Sequence, residues 1–258
     1  LPSGGFSTHD ASIGYYDSAV VESIILVFMF LAGVNFTLIW FAWEKQWGKI
    51  IGDEEGKYYV VIILTATAFI VLSLMLQGES LDRNLLHSLF TVVAIGTSTG
   101  YSSTDYMQWP VMAHIVLFLL MIIGGSAGST AGGLKVMRVT LAVKIAWREI
   151  GRIVQPKRIM RIRMNGEVIE RDRLSLVVGM LFVWTGLFAI SCILLAMTLP
   201  NSDFESVISV VAASLGNTGP ALGDYGPANT WASMGTPSLL ITSVLMWFGR
   251  LELMTALL

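Results

Sequence analysis

Ile95-Gly96-Thr97-Ser98-Thr99-Gly100-Tyr101-Ser102-Ser103 is a glycine-centred stretch that follows the short apolar run 85–94 and precedes another apolar run. The same arrangement occurs in Pro2-Ser3-Gly4-Gly5-Phe6-Ser7-Thr8 and in Ser214-Leu215-Gly216-Asn217-Thr218-Gly219-Pro220. Each copy contains two small or polar residues, then a glycine, then a residue with a ring.

This repeated pattern meets the requirements of a filter for a dehydrated cation. Such a filter replaces the water shell of the ion with backbone carbonyl groups. Carbonyl groups that point inward at successive residues need unusual φ and ψ angles, which glycine adopts without steric cost. The alternative is that these glycines are ordinary loop residues, and a single copy of the pattern would favour that interpretation. Three copies favour cation coordination by the carbonyl groups of Ser3, Gly4, Gly5, Ser98, Thr99, Gly100, Asn217, Thr218 and Gly219. Because Asn217 and Pro220 depart from the other copies, we expect the last one not to be equivalent.

The chain also resembles the Trk/Ktr/HKT superfamily of potassium transporters in these stretches, in the glycine-rich segment 124–135 and in Gly249-Arg250-Leu251-Glu252. The last motif is more similar to the Trk branch. In that superfamily four non-identical repeats of one chain, each a helix, a pore loop and a second helix, surround one pore. The resemblance implies an all-α integral membrane protein with parallel repeats around a pseudo-fourfold, potassium-channel-like pore. It also implies that two and a half of the four repeats are present here, with the first repeat missing.

Composition and hydropathy point to the same class. Only 13% of the 258 residues are charged, against about 25% in soluble domains, and the mean hydropathy is +0.69. A membrane-spanning helix needs about 20 apolar residues. Five stretches without Asp, Glu, Lys or Arg are long enough, namely 23–43, 58–78, 107–134, 174–202 and 225–249. The runs 84–96 and 204–215 are too short, and each precedes a glycine stretch, so we expect half-length re-entrant pore helices there.

These runs divide the chain into repeat units. Residues 1–43 hold the second-repeat filter and the following helix, and 44–148 hold the third repeat with an interrupted second helix. A basic cytoplasmic link covers 149–173, and 174–258 form a fourth repeat that we expect to be truncated. Because a re-entrant hairpin does not change sides, successive repeats are predicted to be parallel, unlike the inverted repeats of many secondary transporters.

The basic residues predict the orientation in the membrane. Residues 135–173 contain eleven of the sixteen Lys and Arg residues, which the positive-inside rule places in the cytoplasm. Contact of this link with anionic lipid is one further possibility, whereas nucleic-acid binding is poorly supported between two spans. Within it, Met164-Asn165-Gly166-Glu167 predicts a tight turn between two short strands. We expect a multi-pass protein of the bacterial cytoplasmic membrane, with filters that open to the outside.

Two further features concern a gate. The segment Gly124–Lys135 lacks the spacing of a nucleotide-binding P-loop, so it predicts either a helix break or a close helix contact through small residues. The resemblance implies an intramembrane gate loop under the filter, made of Gly124, Gly125, Ser126, Gly128, Ser129, Thr130, Gly132 and Gly133. It also implies that Arg250 lies beneath the filter and opposes cations. Otherwise Arg250 would snorkel from a helix end or pair with Glu252. The histidines His87 and His114 look isolated in apolar runs, and we expect packing roles for both.

The resulting hypothesis is potassium uptake through a gated selectivity-filter pore, passive or coupled to another ion, and not enzymatic catalysis. The alternatives are a sodium-permeable or sodium-coupled member of the same superfamily, an organic-solute secondary transporter, and a membrane enzyme or scaffold. No cofactor is expected in this chain, in which K⁺ is the transported ion. The resemblance implies a homodimer in membrane lipid, bound to a cytoplasmic ring of nucleotide-binding regulatory subunits through residues 135–173.

Overall fold

The computed structural model describes residues 5–79, 81–155, 160–199 and 202–250. The protein is mostly helical, with one two-stranded hairpin. The helices are α1 (Ala19–Ala32), α2 (Phe36–Trp43), α3 (Trp47–Gly52), α4 (Glu54–Met75), α5 (Leu81–Gly96), α6 (Val111–Ile123), α7 (Val136–Val154), α8 (Arg171–Thr198), α9 (Phe204–Gly216) and α10 (Thr236–Arg250). The strands are β1 (Arg163–Met164) and β2 (Glu167–Val168), and short 3₁₀ turns cover Ser12–Tyr16, Tyr106–Gln108, Gly223–Tyr225 and Trp231–Ser233.

The two predicted half-length helices are α5 and α9, and both end at the expected glycine stretches. Their C-terminal halves are buried on all sides, since 90–99 and 209–216 contain almost no exposed surface. Helix α5 packs against α1, α4 and α6, whereas α9 packs against α6, α8 and α10. Each half-length helix is therefore enclosed by protein, the setting in which a bilayer tolerates non-helical backbone.

Two of the predicted spans are single long helices. Helix α4 corresponds to 58–78 and α8 to 174–202, and both are long and apolar enough to cross a membrane. The stretch 107–134 is helical only from Val111 to Ile123, which agrees with the predicted interruption.

The two other predicted spans are not single continuous helices. The stretch 23–43 is two helices, α1 and α2, which meet at 104°. The side chain of Asn35 accepts a hydrogen bond from the Thr37 amide at 2.9 Å, so it caps a new helix where hydropathy alone predicts continuation. The stretch 225–249 begins with 3₁₀ turns, and its helix α10 starts only at Thr236.

The predicted cytoplasmic elements lie together. The turn at Asn165-Gly166 is confirmed, with left-handed φ angles of 52° and 83° between the paired strands β1 and β2. The Asn165 side chain bonds the Glu54 amide at 2.7 Å and the Asp53 carboxylate at 2.8 Å. Lys144 on α7 also pairs with Glu54. The start of α4, the hairpin and α7 are thus joined at one end of the molecule.

Candidate ion pore

The last two glycine stretches have nearly the same backbone. Ser98 and Asn217 are left-handed, with φ of 55° and 52°, and the glycines two residues later have φ of 79° and 95°. The Thr99 amide donates to the carbonyl of Ala94 at 2.8 Å, and the Thr218 amide donates to that of Ala213 at 3.0 Å. Despite Asn217 and Pro220, the two stretches therefore share these φ angles and this hydrogen bond. The expected difference in ion coordination stays a prediction.

The three glycines at the centres of these stretches converge. A Cβ atom built on Gly5 would lie 3.3 Å from the carbonyl carbon of Gly100, and one built on Gly219 would lie 3.9 Å from the Gly100 Cα. A Cβ atom on Gly100 would overlap the carbonyl oxygen of Thr218 and lie 3.0 Å from Pro220 Cδ. With a positive φ as well, Gly100 cannot accept a side chain without moving its neighbour. Stretches separated by 95 and 119 residues in sequence therefore meet at one place, whereas Ser3 and Gly4 lie outside the described residues.

Buried hydroxyl groups brace this backbone. Thr97 Oγ1 donates to the Val93 carbonyl at 2.7 Å and lies 2.8 Å from Thr99 Oγ1. Both side chains are almost fully buried. The sequence interpretation assigned the carbonyl of Thr99 to the filter and did not consider Thr97, which acts here as a support.

The glycine-rich segment is a loop that interrupts the chain between α6 and α7. Helix α6 ends at Ile123, and the residue that caps it, Gly124, has a φ of 72°. The chain then returns to the same point, because the amides of Leu134 and Lys135 donate to the carbonyls of Ile122 and Ile123 at 3.0 and 2.8 Å. Residues 124–135 are therefore a break, as predicted, and not a continuous helix with a small-residue contact face. We call this segment the glycine loop.

The glycine loop lies against the last two glycine stretches. The Gly132 amide donates to Ser98 Oγ at 3.1 Å, and the same hydroxyl group donates to the Gly216 carbonyl at 3.0 Å. A Cβ atom on Gly132 would overlap that Gly216 carbonyl oxygen. Ser98, which is 2% exposed, therefore links the loop to both stretches through its side chain.

The other side of the glycine loop docks on the bend between α1 and α2. The amides of Ser126 and Thr130 donate to the carbonyls of Gly33 and Ala32 at 3.0 and 3.2 Å, and the Phe36 amide donates to the Gly128 carbonyl at 3.1 Å. The unexpected break in 23–43 thus exposes the carbonyl groups that hold the loop. These bonds satisfy part of the freed backbone of both segments within the protein, which a membrane interior favours.

Two buried charged residues that sequence reasoning did not single out also hold this loop. The Ala127 amide donates to Glu55 Oε1 at 2.5 Å, and Glu55 is 5% exposed. Lys135, which is 2% exposed, donates from Nζ to the carbonyl of Ala131. The position of Lys135 at the end of a glycine-rich segment was a usable signal, whereas Glu55 looks like an ordinary acidic residue at a helix start.

Arg250 reaches the glycine loop from α10. Its Nη1 donates to the Thr130 carbonyl at 2.7 Å. This contact places one guanidinium nitrogen against the loop, while the Arg250 side chain as a whole is exposed. Glu252 lies outside the described residues. The side-chain Nδ2 of Asn217 donates to the Met246 carbonyl at 3.1 Å, so α10 is also tied to the last glycine stretch.

The two histidines are not isolated. His87 Nδ1 lies 3.4 Å from Glu22 Oε2, and His114 Nδ1 lies 3.0 Å from Glu205 Oε1. The first contact joins α5 to α1 and the second joins α6 to α9. Each histidine therefore links a half-length helix to a neighbouring helix, a role that the packing interpretation missed.

Comparison with known proteins identifies similar chains over this whole region. A family model described as TrkH, cation transport protein, matches residues 1–258. The Trk system potassium uptake protein TrkH of Halomonas elongata is 34% identical over 98% of this chain, and that of Escherichia coli K12 is 33% identical over 98%. The crystal structure of the potassium transporter TrkH from Vibrio parahaemolyticus superimposes with a TM-score of 0.89 at 33% identity, covering 99% of this chain and 55% of that one. The chain spans about half the length of these relatives, 52% in the two sequence comparisons.

Proposed function

Since the chain belongs to the TrkH family of cation transport proteins, we propose that it forms part of a gated pore for potassium uptake. The observation that carries this proposal is the convergence of Gly5, Gly100 and Gly219. The chain is a membrane protein of mostly helical fold, and its similar relatives are named for potassium uptake.

Ion selection is proposed to occur where the three glycines meet. The carbonyl groups of 3–5, 98–100 and 217–219 replace the hydration shell of K⁺, and a fourth stretch completes a pseudo-fourfold ring. The half-length helices α5 and α9 end at this ring, so the partial negative charge of their C-termini favours a cation. The shared hydrogen-bond pattern of Thr99 and Thr218 supports two quasi-equivalent sides of one ring.

Gating is proposed to reside in the glycine loop together with Arg250. The loop contacts the ring through Ser98, and Arg250 donates to its Thr130 carbonyl. A positive guanidinium beneath a cation path opposes ion entry, and movement of the loop removes the obstruction. The five glycines between Gly124 and Gly133 let the backbone rearrange with little steric cost.

The assembly is a further part of the proposal. We place the protein in the bacterial cytoplasmic membrane as a homodimer, with residues 135–173 toward a cytoplasmic ring of nucleotide-binding regulatory subunits. Any nucleotide would bind to that ring and not to this chain. Coupling of K⁺ uptake to H⁺ or Na⁺ would make the transport a symport. K⁺ flux measured with an imposed gradient of H⁺ or of Na⁺ distinguishes coupling to either ion from passive transport.

Gly100→Ser in the full chain tests the pore directly. A side chain at Gly100 displaces the Thr218 carbonyl, so the K⁺ to Na⁺ permeability ratio in liposomes should fall severalfold. Gly179→Ser is the matched control, because a Cβ atom at Gly179 on α8 meets nothing within 4 Å. An unchanged ratio in Gly100→Ser would contradict the filter assignment. A wild-type ratio near unity would instead favour the sodium-permeable alternative.

A further inference from the structure

We propose that a cleft at the cytoplasmic end of α7 and α8 is a binding site for the phosphate headgroup of an anionic phospholipid. This basic cleft lies between the C-terminal half of α7, the segment before β1, strand β2 and the first two turns of α8. It is separate from the glycine stretches and the glycine loop.

The cleft has a volume of about 800 Å³, which is within the range of ordinary ligand sites. Four guanidinium groups line it, together with one carboxylate and an apolar wall. The arginines are Arg148, Arg152, Arg161 and Arg171. The wall includes Ile145, Leu174 and Val178. Cationic and apolar groups are therefore combined in one cavity, as an amphiphile with a negative head requires.

The charges in the cleft are not balanced. Glu149 accepts from Arg148 at 2.8 Å and from Arg152 at 3.2 Å, and these partners hold the pKa of its carboxyl group below the ordinary value. Glu170 is the carboxylate that lines the cleft. Two carboxylates thus oppose four guanidinium groups. Neither Arg161 nor Arg171 makes a side-chain hydrogen bond or ion pair with any residue that the structure describes.

A guanidinium group without a protein partner has donors free for an anion. Its planar fork matches a phosphate in a bidentate way, and such charge-assisted hydrogen bonds are stronger than neutral ones. Arg161 precedes β1 and Arg171 begins α8, so a phosphate held between them would join the hairpin segment to the start of a membrane span. A phosphate has more acceptor oxygens than a carboxylate, so it suits a cleft that both guanidinium groups line.

The position of the cleft favours a lipid over a soluble phosphate. Helix α8 is an apolar span that begins at Arg171, and Val178 lies about 10 Å along its axis. Helix α7 exposes apolar side chains at the same end, among them Trp147, Ile153 and Val154, which are 69%, 81% and 74% exposed. An amphipathic helix with such a face lies at the level of the lipid headgroups.

The apolar parts of the ligand would continue along α8. Val178 and Phe182 are 48% and 80% exposed, one turn apart on that helix. Acyl chains can lie against this surface while the headgroup stays in the basic cleft. Anionic lipids also concentrate near cytoplasmic clusters of Lys and Arg, which the positive-inside orientation supplies.

The test measures lipid binding to the full chain, delipidated in detergent, by native mass spectrometry. The probes are phosphatidylglycerol, phosphatidylcholine and inorganic phosphate. We expect phosphatidylglycerol to bind at least tenfold more tightly than phosphatidylcholine. The double variant Arg161→Gln/Arg171→Gln should lose most of that preference. The matched control Lys45→Gln/Lys57→Gln removes two exposed charges on the same predicted face, outside the cleft, and should keep it.

Two results would overturn the inference. If the double variant and the wild type bind phosphatidylglycerol equally well, the cleft is not the binding site of this lipid. Competition by inorganic phosphate at the same concentration as the lipid would assign the arginines to a soluble anion. Circular dichroism and elution volume show that each variant is folded, and Arg161→Lys/Arg171→Lys, which keeps the charge, should retain partial preference. Where the double variant does not fold, the single variants Arg161→Gln and Arg171→Gln are measured instead. Each should weaken phosphatidylglycerol binding severalfold.

Discussion

Replacement of Ser98 by alanine isolates the link between the glycine loop and the ring of glycines. The Ser98 hydroxyl group accepts from the Gly132 amide at 3.1 Å and donates to the Gly216 carbonyl at 3.0 Å. Alanine removes both contacts and leaves the backbone of 98–100 with its own hydrogen bonds. The change therefore removes one contact of the loop and one contact between the two glycine stretches.

The magnitude follows from the one contact that the loop loses, the hydrogen bond from the Gly132 amide to Ser98 Oγ. An ordinary hydrogen bond contributes about 1 kcal/mol net, so the loop loses about 1 kcal/mol in the position described here. With this position taken as the closed one, the ratio of open to closed protein rises about fivefold, since 1.4 kcal/mol corresponds to a factor of ten. The bond from Ser98 to the Gly216 carbonyl joins two glycine stretches and does not hold the loop.

The assay is K⁺ flux into liposomes containing the full chain. Ser98→Ala should raise the flux about fivefold, with a smaller change in the K⁺ to Na⁺ permeability ratio than Gly100→Ser, because the backbone hydrogen bonds of 98–100 are retained. Ser238→Ala is the control, since its buried hydroxyl group donates to Thr198 Oγ1 at 2.9 Å and does not touch the loop. Wild-type flux in folded Ser98→Ala would refute the reasoning that this link holds a gate.

Two further predictions concern the same loop. Arg250→Ala removes both the hydrogen bond to the Thr130 carbonyl and a positive charge, so K⁺ flux in liposomes should rise at least tenfold, with Arg250→Lys intermediate. Unchanged flux in both variants would argue against an obstructing arginine. Glu55→Ala should destabilise the loop by about 1.5–3 kcal/mol, because the Ala127 amide loses a carboxylate acceptor. Its thermal unfolding midpoint should fall and that of Glu55→Gln should fall less; equal midpoints for wild type and Glu55→Ala would contradict the anchoring role.

The half-length helices could be predicted from sequence because their signal is local. Apolar runs of 12 or 13 residues cannot span a bilayer, and the glycine stretch that follows α5 or α9 requires buried, non-helical backbone. The turn at Asn165-Gly166 is local in the same way. These features were predicted correctly because length, burial and backbone conformation all depend on adjacent residues.

The docking of the glycine loop could not be predicted, because its partners are distant in sequence. The Ala127 amide meets a carboxylate 72 residues away, and Arg250 meets a carbonyl 120 residues away. Hydropathy also did not predict the bend before α2, because the run of apolar residues continues on both sides of Gly33 and Asn35. The cap at Asn35 was the available signal, but an asparagine in an apolar run is weak evidence by itself.

The most direct measurement is the position of a heavy potassium substitute in a crystal of the full chain. Anomalous diffraction from Rb⁺ or Tl⁺ should show an ion enclosed by the carbonyl groups beside Gly5, Gly100 and Gly219, and Na⁺ should not replace it at equal concentration. An ion bound elsewhere in the membrane region, with none between these glycines, would contradict the central claim.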